Sequence, residues 1–403
     1  MSGALADVKV LDFMWVMAGP AATRVLADYG ATVVRVESTR RIDTARTLAP
    51  YRGGVLGPEN SGCFQNLNVG KRMLTLDPTR DAGRRVILDL VRWADVVTES
   101  FAPGTMARWN LDYPALAAVK PDVVMLSTCL MGQTGPLARF AGYGNLAAAI
   151  SGFSNLGGWP DRAPAGPFSA YTDYVSPRFI AIAILAALDH RRRTGEGQYV
   201  DLAQGEASLH FLAPALLDYE VNGRVASRVG NRDPAHAPHG VYAAAGEDRW
   251  VAIAVTSDAE WEALCTVMER PDVACDPRLR DAAGRRACAD ELDDLVAAWT
   301  ATHDASAVEA ALQAHAIPAH VVQTSRDLVR DPQLLHRGHF VSVTHPMGGT
   351  TVVEGSRFVL SRTPAVVADA APSYGRDNDV VLRELLGYDD DAITALVEAG
   401  ALE

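Results

Sequence analysis

The sequence predicts an α/β fold, with a large Rossmann-like domain built on a mostly parallel sheet and a smaller α/β domain. The chain has 403 residues, more than the roughly 250–300 residues that one hydrophobic core usually holds. Apolar strand-like segments alternate with helical ones from Val8 onward, which is typical of parallel sheets covered by helices. Polar sequence rich in Gly and Pro between Asn222 and His239 indicates a crossing between domains.

The first predicted unit is strand, helix, strand. VKVLDF from Val8 is a continuous apolar strand, and the turn MWVMAGP follows it. A helix is predicted over residues 21–29, ending at Gly30, and ATVVRVES forms the second strand. This arrangement is a βαβ unit, whose two strands lie parallel in one sheet.

The next helix has a predicted start and a predicted buried face. Asp77 can cap it and Pro78 suits its first turn, while Val86, Leu90 and Val91 recur at helical spacing. The strand ADVV, the helix PALAAV and the strand DVVMLSTCL continue the alternation. The parallel sheet therefore extends well beyond the first unit.

The chain is predicted to divide into three segments. Residues 1–221 are predicted to form the first part of the large domain, and residues 222–325 the small α/β domain. Residues 326–403 are predicted to return to the large domain, with the strand-rich text FVSVTHPMGGTTVVEGSRFVL and a final helix NDVVLRELLG.

Composition and charge exclude several classes of protein. The chain is 48% hydrophobic and 21% charged, which is ordinary for a globular protein. Its formal net charge of -12 provides no overall field for nucleic acid or an anionic membrane. Five cysteines without a CxxC pair argue against a disulfide framework or a metal site and fit the reducing cytoplasm. No signal-peptide pattern begins the sequence, and the apolar run 179–188 is too short for the ~20 residues of a membrane span, so a soluble cytoplasmic protein is expected.

Familiar catalytic motifs do not occur in the sequence. It has no GxGxxG after the first strand, no phosphate loop, no HExxH and no GxSxG. Acid–base or nucleophilic chemistry is therefore left to carboxylates in apolar or Gly-rich surroundings. Asp173 is the best of these, because it directly precedes an apolar helix in GPFSAYTDYVSPRFIAIAILAAL. It can be an ordinary helix cap, or a nucleophile kept ionised by the helix N-terminus.

Basic residues near the predicted sheet edge offer contacts for phosphate groups. They follow separate strands, although each one alone can equally be a solvated surface residue. They are Arg40, Arg41, Lys71, Arg72 and Arg108.

From end to end the chain resembles the family III CoA-transferases, a group that includes formyl-CoA transferase, carnitine and benzylsuccinate CoA-transferases and α-methylacyl-CoA racemase. Several motifs in the same order carry the resemblance: VKVLDFMWVMAGPAATRVLADYGATVVRVES, NVGKRMLTLD, ADVVTESFAPGTMARW, TGEGQYVDLAQGEASL, DPQLLHRG and YGRDNDVVLRELLG. The resemblance implies Asp173 as the catalytic nucleophile, ahead of TGEGQ. It implies further positions that hold coenzyme A: Val16, Met17 and Ala18 in the first turn, and Arg72, Phe101, Arg108 and Trp109 at the nucleotide.

Departures from the family pattern concern the substrate. Met17 and Ser38 replace a glutamine and an arginine of formyl-CoA transferase, and NRDPAHAPHG replaces its glycine-rich lid, which argues against a formyl or oxalyl group. The pair Arg40-Arg41 can substitute for the missing arginine at the CoA phosphates. Tyr143 stands where the racemase branch has a histidine, so transfer is favoured over racemisation, which needs a second base.

The resemblance implies covalent catalysis through an aspartyl anhydride and an aspartyl-CoA thioester. CoA enters as part of the substrate, with no tightly bound cofactor and no metal. It also implies an interlocked homodimer, with a heteromer as the alternative. Three other functions stay open: an acyl-CoA racemase or isomerase, a non-catalytic CoA-binding subunit, and a nucleotide-binding enzyme unrelated to CoA.

Overall fold

The computed structural model describes residues 3–345 and 349–402, and the chain forms two compact units. The larger unit consists of Met1–Ser154, Gly166–Ala226 and Gln333–Glu403. The smaller unit consists of Asn155–Ala165 and Ser227–Pro332.

A six-stranded parallel sheet forms the centre of the larger unit, with the strand order β3-β2-β1-β4-β5-β6. This confirms the α/β fold predicted from the sequence. Strands β1 to β5 are largely buried, as is usual in parallel sheets, whereas the edge strand β6 is partly exposed. The strands are β1 Lys9–Phe13, β2 Thr32–Glu37, β3 Arg72–Thr75, β4 Val96–Glu99, β5 Val124–Cys129 and β6 Tyr199–Ala203.

Helices connect these strands and cover both faces of the sheet. The α-helices of this part are Ala18–Asp28, Gly62–Asn68, Asp81–Trp93, Thr105–Arg108, Tyr113–Val119, Gly144–Ile150, Phe153–Leu156, Tyr171–Thr194, Gln204–Leu209 and Ala213–Asn222. Short 3-10 helices are Thr44–Thr47, Arg52–Gly54 and His210–Leu212. Helix Asp81–Trp93 buries Val86, Leu90 and Val91, as their spacing predicts.

The predicted cap of helix Asp81–Trp93 is wrong. The helix begins after Arg80 and has no side-chain cap. Asp77 instead accepts a hydrogen bond from the backbone N–H of Thr79 at 2.9 Å and pairs with Arg40 at 3.2 Å. Its carboxylate closes a local turn before the helix, and Pro78 lies in that turn.

Helix Tyr171–Thr194 is the longest helix of the sheet's covering layers. An 18-residue window of it has a mean hydropathy of 1.2, enough by length and composition for a membrane span, and 50% of that window is buried. Ile180 and Ile184 pack in one core cluster with Val10 and Leu126 of the sheet. The helix therefore serves as a core helix of this unit.

The C-terminal segment closes the free edge of β3. The side chains of Asp377 and Asn378 accept hydrogen bonds from the backbone N–H groups of Met73 at 2.8 Å and Thr75 at 2.9 Å. Such covering protects an edge strand from pairing with another chain. Strands β10 Phe340–His345 and β11 Gly349–Glu354 form an antiparallel pair.

The predicted strand-rich text includes Pro346, Met347 and Gly348, which lie outside the described residues. The predicted final helix is a π-helix over Val380–Leu385, and a further α-helix, Asp390–Glu398, follows it.

The smaller unit is built on an antiparallel sheet of β7 His239–Ala243, β8 Trp250–Ala254 and β9 Ala319–Val321. Its core contains Trp261, Leu264 and Val296. Its helices are Asp258–Val267, Pro271–Ala274, Pro277–Leu279 (3-10), Ala282–Ala287, Ala289–Thr300, Ala305–Ala314 and Ser325–Leu328, and Pro332–His336 begins at its border.

The boundaries of the units differ from the predicted ones at three places, and the first is that the smaller unit's main segment begins at Ser227 rather than at residue 222. Asn155–Ala165 groups with the smaller unit, because Gly230 N–H donates to the Gly158 carbonyl at 2.9 Å and Arg228 donates to the Asn155 carbonyl at 3.1 Å. The smaller unit also extends to Pro332, since Arg249 of this unit pairs with Asp327 at 3.1 Å. Hydrogen bonds and ion pairs of this kind leave no trace in hydrophobic periodicity.

Lys71 is a structural residue, which corrects its assignment as a phosphate contact. The residue is 1% exposed, and its ammonium lies 3.1 Å from Asp12 at the centre of the sheet. It also donates to Thr23 at 2.8 Å and to Asn68 at 2.9 Å. Burial lowers the pKa of Lys71 to about 8, although the charge of Asp12 opposes that shift. Every one of its donors is thus used inside the protein.

We expect Lys71→Met to lower the free energy of unfolding by about 3–5 kcal/mol, because it leaves the Asp12 carboxylate buried without its partner. Equilibrium denaturation at neutral pH measures this loss. Arg80→Met is the matched control, since Arg80 is half exposed and 3.6 Å from Asp77, and it should cost less than about 1 kcal/mol. Equal losses for the two variants would contradict the assigned role of Lys71.

Candidate active site

The strand order places a crevice between β1 and β4, where the winding of the sheet reverses and ligands bind in folds of this type. A cavity of about 530 Å³ lies there, at the carboxyl ends of the strands. The turns after β1, β4 and β5 form most of its wall. Its lining includes Trp15, Val16, Met17, Ala18, Arg41, Ser100, Phe101, Pro103, Thr128, Arg139, Tyr143, Asp173 and Gln204.

A second cavity, of about 580 Å³, shares part of this wall. Its remaining lining is mostly apolar or uncharged and includes Leu48, Pro50, Cys63, Asn66, Leu67, Asn145 and Val352. The residues common to both cavities are Val16, Met17, Tyr143 and Asp173. These four therefore stand where the contents of the two cavities can meet.

The turn after β1 has a strained backbone. Val16 has φ of 65°, a conformation that is an outlier for a β-branched residue and is found at functional sites. The Asp43 carboxylate accepts the Val16 N–H at 2.9 Å, and the Arg35 guanidinium donates to the Met14 carbonyl. Both ends of the turn are thus held by buried charged side chains.

Asp173 is the third residue of helix Tyr171–Thr194 and does not cap it, so the capping alternative is wrong. Its side chain is 7% exposed. The Gln204 amide and the backbone N–H of Gly144 donate to its carboxylate. Burial raises the pKa of Asp173, against the effect of these two donors. The expectation that the helix terminus sets the ionisation is therefore corrected, since burial is the larger effect.

The predicted CoA residues separate into two groups. Val16, Met17, Ala18, Arg41 and Phe101 line the cavity that contains Asp173. The other group, which is absent from the described lining of both cavities, consists of Arg40, Arg72, Arg108 and Trp109.

Contacts explain where these other residues lie. Arg40 pairs with Asp77, and Arg72 begins the edge strand β3. The guanidinium of Arg108 donates to Thr105 at 2.9 Å. Trp109 packs edge-on against Phe101, with ring centroids 5.3 Å apart. It therefore contacts a residue of the cavity wall without belonging to the described lining itself.

Several residues of the cavity walls were not identified from the sequence. Arg139 and Trp15 line the cavity at the switch point, and Arg41 lies 5.7 Å from the ring centre of Trp15. Gln204 directly follows β6, and the rule that ligands bind at carboxyl ends of strands could have indicated it. Cys63 has its pKa raised to about 11 by burial and by the charges of Asp43 and Asp173, so its thiol is not ionised.

No group of His, Cys, Asp and Glu side chains suited to a metal ion occurs in residues 3–345 and 349–402.

Glu99, the last residue of β4, directly precedes the cavity residues Ser100 and Phe101. It is 3% exposed, and burial raises its pKa to about 7, against hydrogen bonds from Ser127 and the Phe101 N–H.

We expect Glu99→Gln to stabilise the protein at high pH. The folded-state pKa is raised from 4.5 to about 7, so the stability that proton binding contributes is full below pH 4.5 and is lost as pH rises through 7. The amide does not ionise, so the variant should gain up to about 3 kcal/mol over the natural protein at pH 8, and much less at pH 5.

Denaturation at the two pH values measures this gain, with Glu247→Gln, on an exposed loop, as the control. A difference between Glu99→Gln and the natural protein that stays constant with pH would contradict a buried ionising group.

Comparisons with known proteins agree with the fold. The succinyl-CoA–D-citramalate CoA-transferase of Chloroflexus aurantiacus is 32% identical over 97% of this chain and 96% of its own length. The succinyl-CoA:mesaconate CoA-transferase of Haloarcula hispanica is 36% identical over 92% of this chain and 93% of its own. A solved CAIB/BAIF family protein from Brucella suis superposes with a TM-score of 0.87 at 29% identity, over 96% of this chain and 100% of its own.

The family described as CoA-transferase family III matches residues 5–378. Nearly the whole chain is covered, including both units and every element that builds the two cavities. This chain belongs to CoA-transferase family III.

Proposed function

We propose that this CoA-transferase works through covalent intermediates on Asp173. The observation that carries the proposal is the place of this carboxylate, buried in a wall shared by the two cavities. A nucleophile there can accept an acyl group from one side and coenzyme A from the other. The cavity at the switch point holds CoA, and the less polar cavity holds the acyl group and the acceptor acid.

The exchange of CoA between the two acids proceeds through a series of acyl transfers on Asp173. An oxygen of Asp173 attacks the donor thioester carbon and expels the CoA thiolate, which gives a mixed anhydride. The thiolate attacks Cγ of Asp173 and expels the donor acid as a carboxylate, which leaves an aspartyl-CoA thioester. The acceptor carboxylate repeats the sequence in reverse and leaves as the new acyl-CoA. The CoA thiolate leaves and attacks again in each half of the exchange, the donor carboxylate departs as a product, and the Asp173 carboxylate is released in the last step, so the residue is regenerated.

The wall of the first cavity provides the charges and rings that a CoA nucleotide requires. Arg41 and Arg139 are its cationic lining residues. A guanidinium group can bind two oxygens of one phosphate through two parallel hydrogen bonds. Trp15 and Phe101, with ring centroids 5.5 Å apart, offer an aromatic surface for the adenine. Tyr143, which is 57% exposed, borders both cavities and contacts the substrate.

Assembly and compartment are part of the proposal. The enzyme is proposed to be cytoplasmic and to form an interlocked homodimer, with a heteromer as the alternative. Succinyl-CoA is the first donor to test, because both enzymes compared above carry it in their names. An acyl-CoA racemase or isomerase would release α-deuterium without any acceptor acid, whereas the proposed transferase would not.

We expect CoA to raise the melting temperature of the natural protein, since a ligand of the native state stabilises it by mass action. Arg41→Ala should weaken CoA binding and reduce this rise, because it removes a cation from the cavity wall. Arg224→Ala is the control: Arg224 pairs with Asp218 at the surface and lines neither cavity. Equal rises for the two variants would place the nucleotide elsewhere.

We expect Asp173→Asn to lower transfer by at least about 10³-fold, because the amide is not a carboxylate nucleophile. In the natural protein, incubation with succinyl-CoA alone should leave an adduct on this side chain. Hydroxylamine converts it to a hydroxamate and borohydride reduces the thioester to an alcohol, and peptide mass spectrometry measures both products.

Asp201 is the labelling control, because it lies in β6 and accepts a hydrogen bond from the Gln133 N–H at 3.0 Å. It should stay unlabelled. Transfer near the natural rate in Asp173→Asn, or a label on another residue, would overturn the mechanism.

A further inference from the structure

A short network of hydrogen bonds surrounds the Asp173 carboxylate. Gln204 Nε2 donates to Asp173 Oδ1 and, at 3.1 Å, to the Thr172 hydroxyl oxygen. The Thr172 hydroxyl donates to the Gly144 carbonyl at 2.9 Å. The Gly144 N–H donates in turn to the Asp173 carboxylate. The network therefore closes on the group proposed as the nucleophile.

The direction of each bond in this network is fixed. The Thr172 hydroxyl has one hydrogen, and the Gly144 carbonyl accepts it, so only a lone pair of Thr172 can face Gln204. The amide must then present its NH₂ group to Thr172 and Asp173, rather than its oxygen. Thr172 thus decides which end of the Gln204 amide meets the carboxylate, a choice that the shape of an amide alone leaves open.

The network is buried, so the side chains that form it are confined to one arrangement. Thr172 is 0% exposed and Gln204 is 7% exposed. Gly144 permits the close approach, because a Cβ there would lie 2.7 Å from Cγ of Asp173. Hydrogen bonds to charged groups are strong in such surroundings, and donors that are already oriented need no rearrangement during the reaction.

We propose that Gln204, oriented by Thr172, stabilises the oxyanion that forms on Asp173 when its anhydride or thioester is attacked. The inference rests on the proposed function of Asp173. When the CoA thiolate adds to Cγ, the π electron pair of the carbonyl moves onto Oδ1, which carries the negative charge. That pair returns as the acyl carboxylate leaves with the electrons of its bond to Cγ. The Gln204 amide and the Gly144 N–H donate to this charge, and Thr172 is the positioning residue.

The test uses Gln204→Met, Thr172→Val and Thr172→Ser in the full-length protein. The measured quantity is the rate at which succinyl-CoA alone forms the borohydride-sensitive thioester on Asp173, as a function of pH. Gln204→Met should lower this rate by about 10²–10³-fold, the usual loss for one oxyanion donor. The reactive carboxylate also loses a donor that lowers its pKa, so the midpoint of the pH profile should move to higher pH.

Thr172→Val keeps the shape of the side chain but removes the hydroxyl, so the amide can turn its oxygen to the carboxylate. Thr172→Val should therefore slow thioester formation and raise the midpoint of its pH profile. Thr172→Ser, which keeps a hydroxyl, should restore the natural rate and the natural midpoint. Ser176→Ala is the matched control: Ser176 is a buried hydroxyl on the same helix that donates to the Thr172 carbonyl at 2.8 Å and has no contact with Gln204 or Asp173 among those described.

Natural rates and midpoints in Gln204→Met would overturn the inference, as would equal slowing by Thr172→Val and Thr172→Ser. If Gln204→Met loses its fold, the two Thr172 variants decide the outcome. Failure of the proposed function has a different signature, since it would leave the natural protein without any label on Asp173.

Discussion

Four buried charged side chains determine the shape of the site. They are Arg35 and Glu37 in β2 and Asp43 and Arg46 in the loop that follows it. Arg35 lies 3.3 Å from Glu37 and 2.5 Å from Asp43, and Arg46 lies 2.9 Å from Glu37. The guanidinium of Arg46 also lies between the rings of Phe64 and Tyr374, at 3.7 and 3.9 Å from their centres. All four charged side chains are fully buried. Because Asp43 and Arg35 also hold the turn after β1, the cavity wall depends on this network.

A buried ionic network is weak evidence for stability, since removal of charges from water offsets much of their mutual attraction. Its effect here is better described as geometric. Val16 has a backbone conformation that costs of order 1–3 kcal/mol and persists only when its surroundings fix it. The Asp43 carboxylate accepts both the Val16 N–H and the Ala45 N–H, at 2.9 Å each. The network therefore fixes two loops at once, and an apolar replacement would pack well but hold neither.

The sequence predicted the parallel sheet because hydrophobic periodicity reports burial, and β1, β2, β4 and β5 carry runs of apolar residues at buried positions. It predicted less of the site, for a physical reason. Lys71 and Arg72 are neighbours of the same charge, but Lys71 is fully buried at Asp12, and neither residue belongs to the described lining of the two cavities. Arg41 does line one. Which of several cations faces the cavity depends on side-chain direction and on partners far along the chain, neither of which a local pattern contains.

Gln204 shows the same limit from the other side. It is an uncharged residue in a short helix after β6, and only the fold brings its amide to a carboxylate 31 positions earlier. Burial raises the pKa of Asp173, while the donors from Gln204 and Gly144 lower it. In the proposed mechanism the carboxylate nucleophile needs both influences: poor solvation makes the anion more reactive, and the donors favour the ionised form. In that mechanism the charge of the residue disappears as the anion becomes an acyl derivative, and it then returns on an oxygen. Donors that are fixed in place by Thr172 and the Gly144 backbone can serve each of these states without moving.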